Sequence, residues 1–598
     1  MHPTMHFTVS FLEPGLHVYH VTLTMDNLAP GTHTLTLPVW TPGSYEVRDF
    51  AGQLFDMHVD QSGPLEVHHT KKNQWLFETV NNGPVVARYQ VYAYQLGVSS
   101  SHLDQSHAFF NGAQLFVLLD DQKDIPITVE LQSPPGWDTA TGLDRSPERP
   151  GVYLARNYDV LIDSPVETGP HRSLTFMVDD KLHTVALWGQ GNEDPEQLVQ
   201  DIEKIVRSQS QMFGGMPYDH YTFILQISDR GTGGLEHLNS TVCGIPRFAF
   251  RPHKSYIKVL RLISHEFFHL WNVKRIHPEM LGPFDYNREV HTHLLWAMEG
   301  FTDYYGHLTL RRSGLQSEKE YLKDLAERIK LYETLPGRFV QSLSESSFDT
   351  WIKFYRRTPD SPNRTISYYL KGDLVGTCLD LEIRHRTHNR YSLDTVLQRL
   401  YERYGQHGVG FPESVYQETV EEVGASSFEE FFEHYIHGTS PVPFDQFLAY
   451  AGLQIEYGYK NPDADTESED IGDNENGEDQ RTAPLPWLGV DTKEEQHRAV
   501  VTVSYTSGPA RALLNPHDQI VAINGYQISS PSDLNKRLRS SHRSGESVEI
   551  SLFRRGHLET VSVILGDAPY NQVTIRPMTD ATAEQTAIRQ DWLKSTDS

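Results

Sequence analysis

The stretch Ile263-Ser264-His265-Glu266-Phe267-Phe268-His269-Leu270-Trp271 decides how the rest of the chain is read. It is a His-Glu-x-x-His pattern set among bulky apolar residues, with no helix breaker nearby. On a helix, residues four apart share a face, so the two imidazoles can converge on one metal ion. The carboxylate between them can then take a proton from metal-bound water. This is the minimum equipment for metal-assisted peptide hydrolysis, although the same five residues also arise on ordinary amphipathic helices. Upstream, Ile257, Leu260 and Ile263 recur every three residues, as in a helix packed into a core.

At 598 residues the chain is too long for one core, and three or four domains are expected. A net charge of −27 argues against nucleic acid or an anionic membrane surface as the main partner. No stretch is long and apolar enough to span a bilayer, and the first residues lack a basic segment followed by an apolar run. The two cysteines, Cys243 and Cys378, form no pairing framework. A cytoplasmic location is therefore expected.

Residues 1–180 read as β-rich: HVYHVTLTM, THTLTLPVW and VVARYQVYAY alternate or are β-branched, between Pro/Gly turns. Within them, Thr41 to Gly52 reads as a turn with a surface ion pair; the alternative is a loop facing an active site. Residues 181–315 carry the metal motif. A helix around Leu198, Ile202 and Ile205 precedes the strand YTFILQIS and a glycine-rich hairpin, GTGGLEHLNSTVCGI. On the motif alone, Gly233 and Gly234 merely turn the chain and Glu236 is solvated. The other reading lets backbone approach a ligand there, with Glu236 facing a substrate ammonium. The metal helix is expected to run to about Lys274. A return helix, HTHLLWAMEGFTDYYGHLTLRR, offers Glu299 as third ligand among apolar neighbours. Asp303, four residues on, shares that face and can accept a hydrogen bond from a ligand imidazole. His291, His293 and His307 are left as solvated or core residues.

Residues 316–460 read as a helical lobe that could wall the cleft. In it, Tyr369-Leu370-Lys371-Gly372 offers a hydroxyl to an oxyanion, yet Tyr368 and Tyr369 also suit a core or rim. Residues 461–483 are acidic and nearly devoid of apolar side chains, as a flexible linker would be. Residues 484–566 closely resemble a PDZ domain, with Leu488, Gly489 and Val490 where that family has its carboxylate-binding loop. Residues 567–598 are expected to be a loosely docked polar tail.

With these pieces together, the chain resembles the glycyl aminopeptidase family of gluzincin metallopeptidases over nearly its whole length. HEFFHLWNVKRIHP and LWAMEGFTDYY are the most specific marks. The fold implied is multidomain α+β: a β-rich N-terminal domain, a thermolysin-like zinc domain, an α-helical lobe and a C-terminal PDZ domain. The resemblance implies one Zn2+ bound by His265, His269 and Glu299, with Glu266 as general base. GGLEH resembles the clan's Gly-x-Met-Glu-Asn strand, which moves Glu236 towards holding the substrate amine, although His237 replaces the asparagine. Tyr369 to Gly372 matches the clan's Tyr-x-Lys-Gly signature, so Tyr369 would stabilise the oxyanion. Asp303 matches the aspartate that follows the ligand glutamate in thermolysin-like enzymes.

The activity expected is removal of N-terminal residues, small ones such as Gly or Ala by resemblance, from peptides with a free amine. The rivals are a zinc endopeptidase and a PDZ-based peptide-binding adaptor with a non-catalytic metal site. A structural zinc site, however, would need a fourth protein ligand. The PDZ unit would take a peptide or protein C-terminus.

Overall fold

The computed structural model describes residues 4–460, 480–481 and 484–595. Near the N-terminus, Thr4–Ser10 and Val18–Asp26 bury every second side chain, as strands covered on one face do. They lie in a seven-stranded sheet in which Thr4–Ser10 pairs antiparallel with Val18–Asp26 and parallel with Ile127–Gln132. A four-stranded sheet containing Gly31–Thr36 and Gln74–Thr79 adds Leu35, Trp75 and Phe77 to the same apolar cluster as Phe7, Val9 and Leu23. Two sheets thus share one core.

The second unit is built on a five-stranded sheet ordered Arg172–Val178, Lys181–Gly189, β1 (His220–Ser228), β3 (Ser240–Pro246) and β2 (Gly234–Glu236). Arg172–Val178 is the outer strand of this sheet and pairs in full register with Lys181–Gly189. β1 runs parallel to both neighbours and is buried along nearly its whole length, so it reads as a continuous apolar run. β2 is the edge strand, antiparallel to β3. Helix α1 (Pro195–Met212), capped by the Asp194 side chain, covers the sheet with Leu198, Ile202 and Ile205. Helix α2 (His253–Phe268) carries the metal motif, and α3 (Phe301–Arg312) packs beside it.

Two expectations on these helices change. α2 stops at Phe268, with His269 as its C-cap, instead of running to Lys274. There the chain turns through Val273, whose φ is 93°, and the Lys274 N–H donates to the His269 carbonyl. The return segment opens not in an α-helix but in one π-helical turn, Trp296–Gly300, which contains Glu299.

In the helical lobe, α4 (Tyr368–Arg386) is buried continuously from Lys371 to Arg384 and is the central helix. Two of its buried carboxylates are paired, Asp373 with Arg328 and Asp380 with Arg384. Strand β4 (Leu453–Lys460) leaves the lobe and leads into the 461–483 segment. The linker expected there lies outside the described residues, except for the short strand Gln480–Arg481, which pairs with β4.

The PDZ unit has its own core, including Leu488, Val501, Ile520 and Ile550. Its β5 (Val490–Glu495) is a sheet edge, paired on one side with β6 (Arg498–Ser504). Asn363 of the lobe holds the unit by backbone, donating to the Ser504 carbonyl at 2.9 Å and accepting from the Thr506 N–H at 3.0 Å.

The segment after the PDZ unit is not a loosely docked tail. β7 (Gln572–Pro577) returns antiparallel along β4, so the PDZ unit is set between two strands of the lobe. Helix α5 (Ala583–Trp592) then packs on the lobe. Ile588 and Trp592 are buried, and the Trp592 indole donates to the Tyr304 hydroxyl at 2.9 Å. Two apolar contacts suffice to seat this helix, which is why its polar composition is a poor guide.

Candidate metal centre and peptide site

Helical spacing brings His265 and His269 to one side of α2, and the π turn aims Glu299 at them. The two Nε2 atoms are 3.0 Å apart and lie 3.6 and 3.2 Å from Glu299 Oε2. Tetrahedral ligands at about 2.0–2.1 Å from zinc sit roughly 3.3 Å from one another, so the three atoms fit around a single ion. All three residues are buried. The outward ring nitrogens are also engaged: His269 Nδ1 donates to the Asn272 carbonyl at 2.9 Å, and His265 Nδ1 faces Asp303 Oδ1 at 2.9 Å. This leaves both Nε2 lone pairs for a metal and fixes the rings. Two nitrogens and one carboxylate form an open set, with room for a water or substrate as well.

Electrostatics follow the same layout. Burial drives the Glu266 carboxyl up to about 7, against the pull of His265 and His269. Burial also works to raise Glu299, but His269 and His265 outweigh it and hold the carboxyl at about 2. For Asp303, burial is again overcome, chiefly by His265, and the group stays ionised far below the ordinary carboxylate range.

Glu236, at the end of edge strand β2, reaches the same place. Carboxylate oxygens of Glu236 and Glu266 and a ring nitrogen of His269 all lie within 4.8 Å of one another. A Cβ on Gly234 would lie 2.1 Å from Glu266 Oε1, so only glycine lets β2 pass this close to α2. Gly233 has a φ of 74° and makes the turn into the strand. The strand end is clamped by Asp163, which accepts from the Leu238 N–H at 2.8 Å and lies 3.1 Å from His237 Nδ1. Asp163 also pairs with the buried Lys274 at 2.7 Å. Burial acts to lower the Lys274 amine, but Asp163 and then Glu236 raise it above its ordinary value.

The Thr41–Gly52 turn faces the site, contrary to the surface reading. Gly43, with φ 85°, lies over Glu236, where a Cβ would come within 2.6 Å of both carboxylate oxygens. Tyr45 is buried, its ring 5.8 Å from Trp351. A cavity of about 910 Å³ borders Gly43, Tyr45, Glu236, Asp163 and Lys274, and none of the three candidate ligands lines it.

Tyr369 lies beyond His265, ring centroids 6.2 Å apart. Burial, then the Glu299 charge, raises its hydroxyl far above the ordinary tyrosine value and keeps it a proton donor. His291, His293 and His307 stand outside the cluster, against the Phe348 carbonyl, Glu413 and Asp324 respectively. Leu488 to Val490 lie at the start of the free edge β5, where Gly489 has a φ of 81°.

Sequence reasoning missed Asn272. Its side chain donates to the carbonyls of Ala297 and Met298 at 2.8 and 3.0 Å. One residue therefore orients His269 with its backbone and secures the Glu299 turn with its amide. It also missed Asp163 and Gly43, which are far away in the chain and belong to no local pattern.

Comparisons with known proteins place the chain as a whole. The Peptidase M61 N-terminal domain matches residues 6–170, the M61 glycyl aminopeptidase domain residues 258–375, and the PDZ domain residues 486–565. No curated protein is similar in sequence. An aminopeptidase N family protein from Idiomarina loihiensis is 28% identical with a TM-score of 0.89, over 99% of this chain and 100% of its own. An M1 zinc metallopeptidase from Deinococcus radiodurans is 16% identical with a TM-score of 0.48, over 74% of this chain and 95% of its own. The chain belongs to the M61 glycyl aminopeptidase family and is a metallopeptidase of the aminopeptidase type.

Proposed function

We propose that the protein is a zinc aminopeptidase that removes small N-terminal residues, Gly or Ala, from peptides with a free amine. The observation that carries this reading is the position of Glu236, a buried carboxylate within 4.8 Å of Glu266 and His269. A carboxylate there pairs with an ammonium one residue from the scissile carbonyl and limits cleavage to the first bond. Gly43 lies over the Glu236 carboxylate from the N-terminal domain, which supports a small first residue.

His265, His269 and Glu299 would hold one zinc ion. When bound there, zinc supplies a Lewis acid that polarises the scissile carbonyl and acidifies water. Glu266 takes a proton from the attacking water and delivers it to the leaving amine. Tyr369 donates to the oxygen on which negative charge develops. The edge of β2 offers backbone hydrogen bonds to an extended peptide, and Asp303 and Asn272 keep the imidazoles in place.

We also propose the division into an N-terminal domain, a zinc domain, a helical lobe, a linker over 461–483 and a PDZ unit whose Leu488, Gly489 and Val490 receive a peptide end. Among the described residues no helix is long and apolar enough to cross a membrane. Both cysteines are free and buried, which suits the cytoplasm.

The test is hydrolysis of Gly-Ala-Phe with a free and with an acetylated amine. Cleavage of the free peptide alone, abolished in Glu266→Ala and reduced at least tenfold in Glu236→Ala, is the expected result. Equal cleavage of both peptides would make the enzyme an endopeptidase. Metal retention without any hydrolysis would favour the PDZ-based adaptor.

A further inference from the structure

A cavity of about 200 Å³ opens at the seam between the helical lobe and the PDZ unit, behind Tyr369. Leu335, Phe354, Ile366 and the PDZ residue Val503 give it apolar walls, and Gln341, Lys353 and Arg357 give it donors. Among the described residues no carboxylate lines it, in a chain whose net charge is −27. That local balance of charge is the reverse of the molecule's own.

Gln341 is 3% exposed. Its Oε1 accepts from the Ile366 N–H at 3.1 Å, which fixes the orientation of the amide. Its Nε2 is then a buried donor with no partner among the described residues. Buried donors are nearly always satisfied, so this one points to an acceptor from outside the chain. A second buried donor lies close in sequence to the cavity wall. Lys371, one helical turn beyond the lining residue Ser367, is fully buried and its Nζ also has no partner among the described residues. Burial and the charge of Arg338 lower its amine to about 8. At the mouth, the Arg357 guanidinium lies 4.6 Å over the Phe354 ring, and Lys353 pairs with Asp349 at 2.6 Å.

These features select a ligand class. An unpartnered buried donor beside a guanidinium calls for an anion, and a carboxylate can accept from an amide and a guanidinium together. The apolar walls call for a hydrocarbon group on the same molecule. A water occupies about 30 Å³ of liquid, so the space suits several heavy atoms and not a long peptide. We propose that this seam binds a small carboxylate bearing an apolar group, Gln341 and Arg357 holding the carboxylate and Leu335, Ile366 and Val503 the hydrocarbon. The site is separate from the Leu488–Val490 loop. Its occupant touches Phe354, whose ring lies 4.9 Å from Tyr368 and 5.5 Å from Tyr369.

The test is calorimetric titration of the zinc-loaded full chain with N-acetyl-leucine, with neutral N-acetyl-leucinamide as comparator. The expected result is saturable binding of the acid and at least tenfold weaker binding of the amide. Arg357→Met, at an exposed position, weakens the acid at least tenfold without lowering the melting temperature; Gln341→Leu weakens it as well and also lowers the melting temperature, because the Ile366 N–H loses its acceptor. Val490→Asp, in the PDZ loop, leaves the affinity unchanged. Free leucine titrated in parallel separates the two sources of such a group. Comparable binding assigns the site to a released amino acid, and binding of the acetylated form alone assigns it to a peptide C-terminus. No saturable binding, equal affinity for acid and amide, wild-type affinity in Arg357→Met, or loss confined to Val490→Asp would each overturn the proposal.

Discussion

Gly300 and Gly372 meet backbone to backbone: a Cβ on Gly300 would lie 2.5 Å from the Gly372 Cα, and one on Gly372 would lie 2.7 Å from the Trp296 carbonyl oxygen. The π turn bearing Glu299 and the helix bearing Tyr369 therefore cross with no side chain between them. The glycine of Tyr369-Leu370-Lys371-Gly372 and the glycine after Glu299 form a single device, which sets the distance from candidate metal ligand to candidate oxyanion donor.

An added methyl at this crossing cannot be absorbed by a flexible side chain, because both faces are backbone. Gly372→Ala is expected to destabilise the protein by about 1–3 kcal/mol. It should also lower kcat far more than it raises KM, the pattern expected when the proposed oxyanion donor Tyr369 is displaced. Chemical denaturation and steady-state kinetics on one preparation check both effects.

The orientation of the imidazoles leads to a prediction on metal affinity. Asp303→Ala and Asn272→Leu remove the partners of His265 Nδ1 and of the Glu299 turn, while His265, His269 and Glu299 all remain. Each is expected to weaken zinc binding by roughly 10–100-fold. Competition with a chromogenic chelator measures this without any reference to activity.

Gly43→Ala tests the roof over Glu236. A methyl there would meet both carboxylate oxygens at 2.6 Å, on a residue with positive φ. Cleavage of free-amine peptides should fall at least tenfold in kcat/KM, with zinc content unchanged. Comparable activity in the variant would mean that the turn is not part of the peptide site.

The convergence of the candidate metal-site residues was legible in the sequence, because its spacing is a property of helices. His265, Glu266 and His269 are placed by one helical turn, and Glu299 with Asp303 by another. Gly43 and Asp163 were not legible, since both act across domain boundaries, on a strand that begins near residue 234. The PDZ unit stood out through its own compact pattern. Helix α5 was read as loose tail because only Ile588 and Trp592 of its ten residues are buried, too few to make an apolar stripe. The end of α2 was overextended because the apolar run continues through Leu270 and Trp271, which are buried from a turn and not from a helix.

His183 gives a pH dependence remote from the metal site. Its Nε2 bonds the Tyr218 hydroxyl at 2.7 Å and its ring stacks on Phe176. Burial lowers its pKa to about 4, so the folded protein keeps it neutral where the unfolded chain, near 6.5, takes a proton. Between those values the unfolded state binds more protons, and stability rises with pH. The contribution is complete above about pH 6.5 and is lost as pH falls towards 4, on the order of 3 kcal/mol in all. Denaturant melts from pH 7 to 4 should show this slope, and His183→Gln should flatten it.

Trp592→Ala is expected to cost about 3–5 kcal/mol, because it empties a fully buried site and removes a donor to Tyr304. Urea unfolding of the full chain measures the loss, and a change under 1 kcal/mol would show that α5 only rests on the lobe.

The seat of Trp592 on Tyr304 also has a consequence for how the protein is made. The two residues are 288 positions apart, and Tyr304 directly follows Asp303, which faces His265. A ribosome adding roughly 5–20 residues per second needs on the order of 15–60 s to travel from one to the other. Throughout that interval the outer face of the helix behind the metal motif has no cover from α5. Synthesis of the candidate metal-site residues and completion of their packing are thus separate events in the life of each molecule, and Trp592 marks the second.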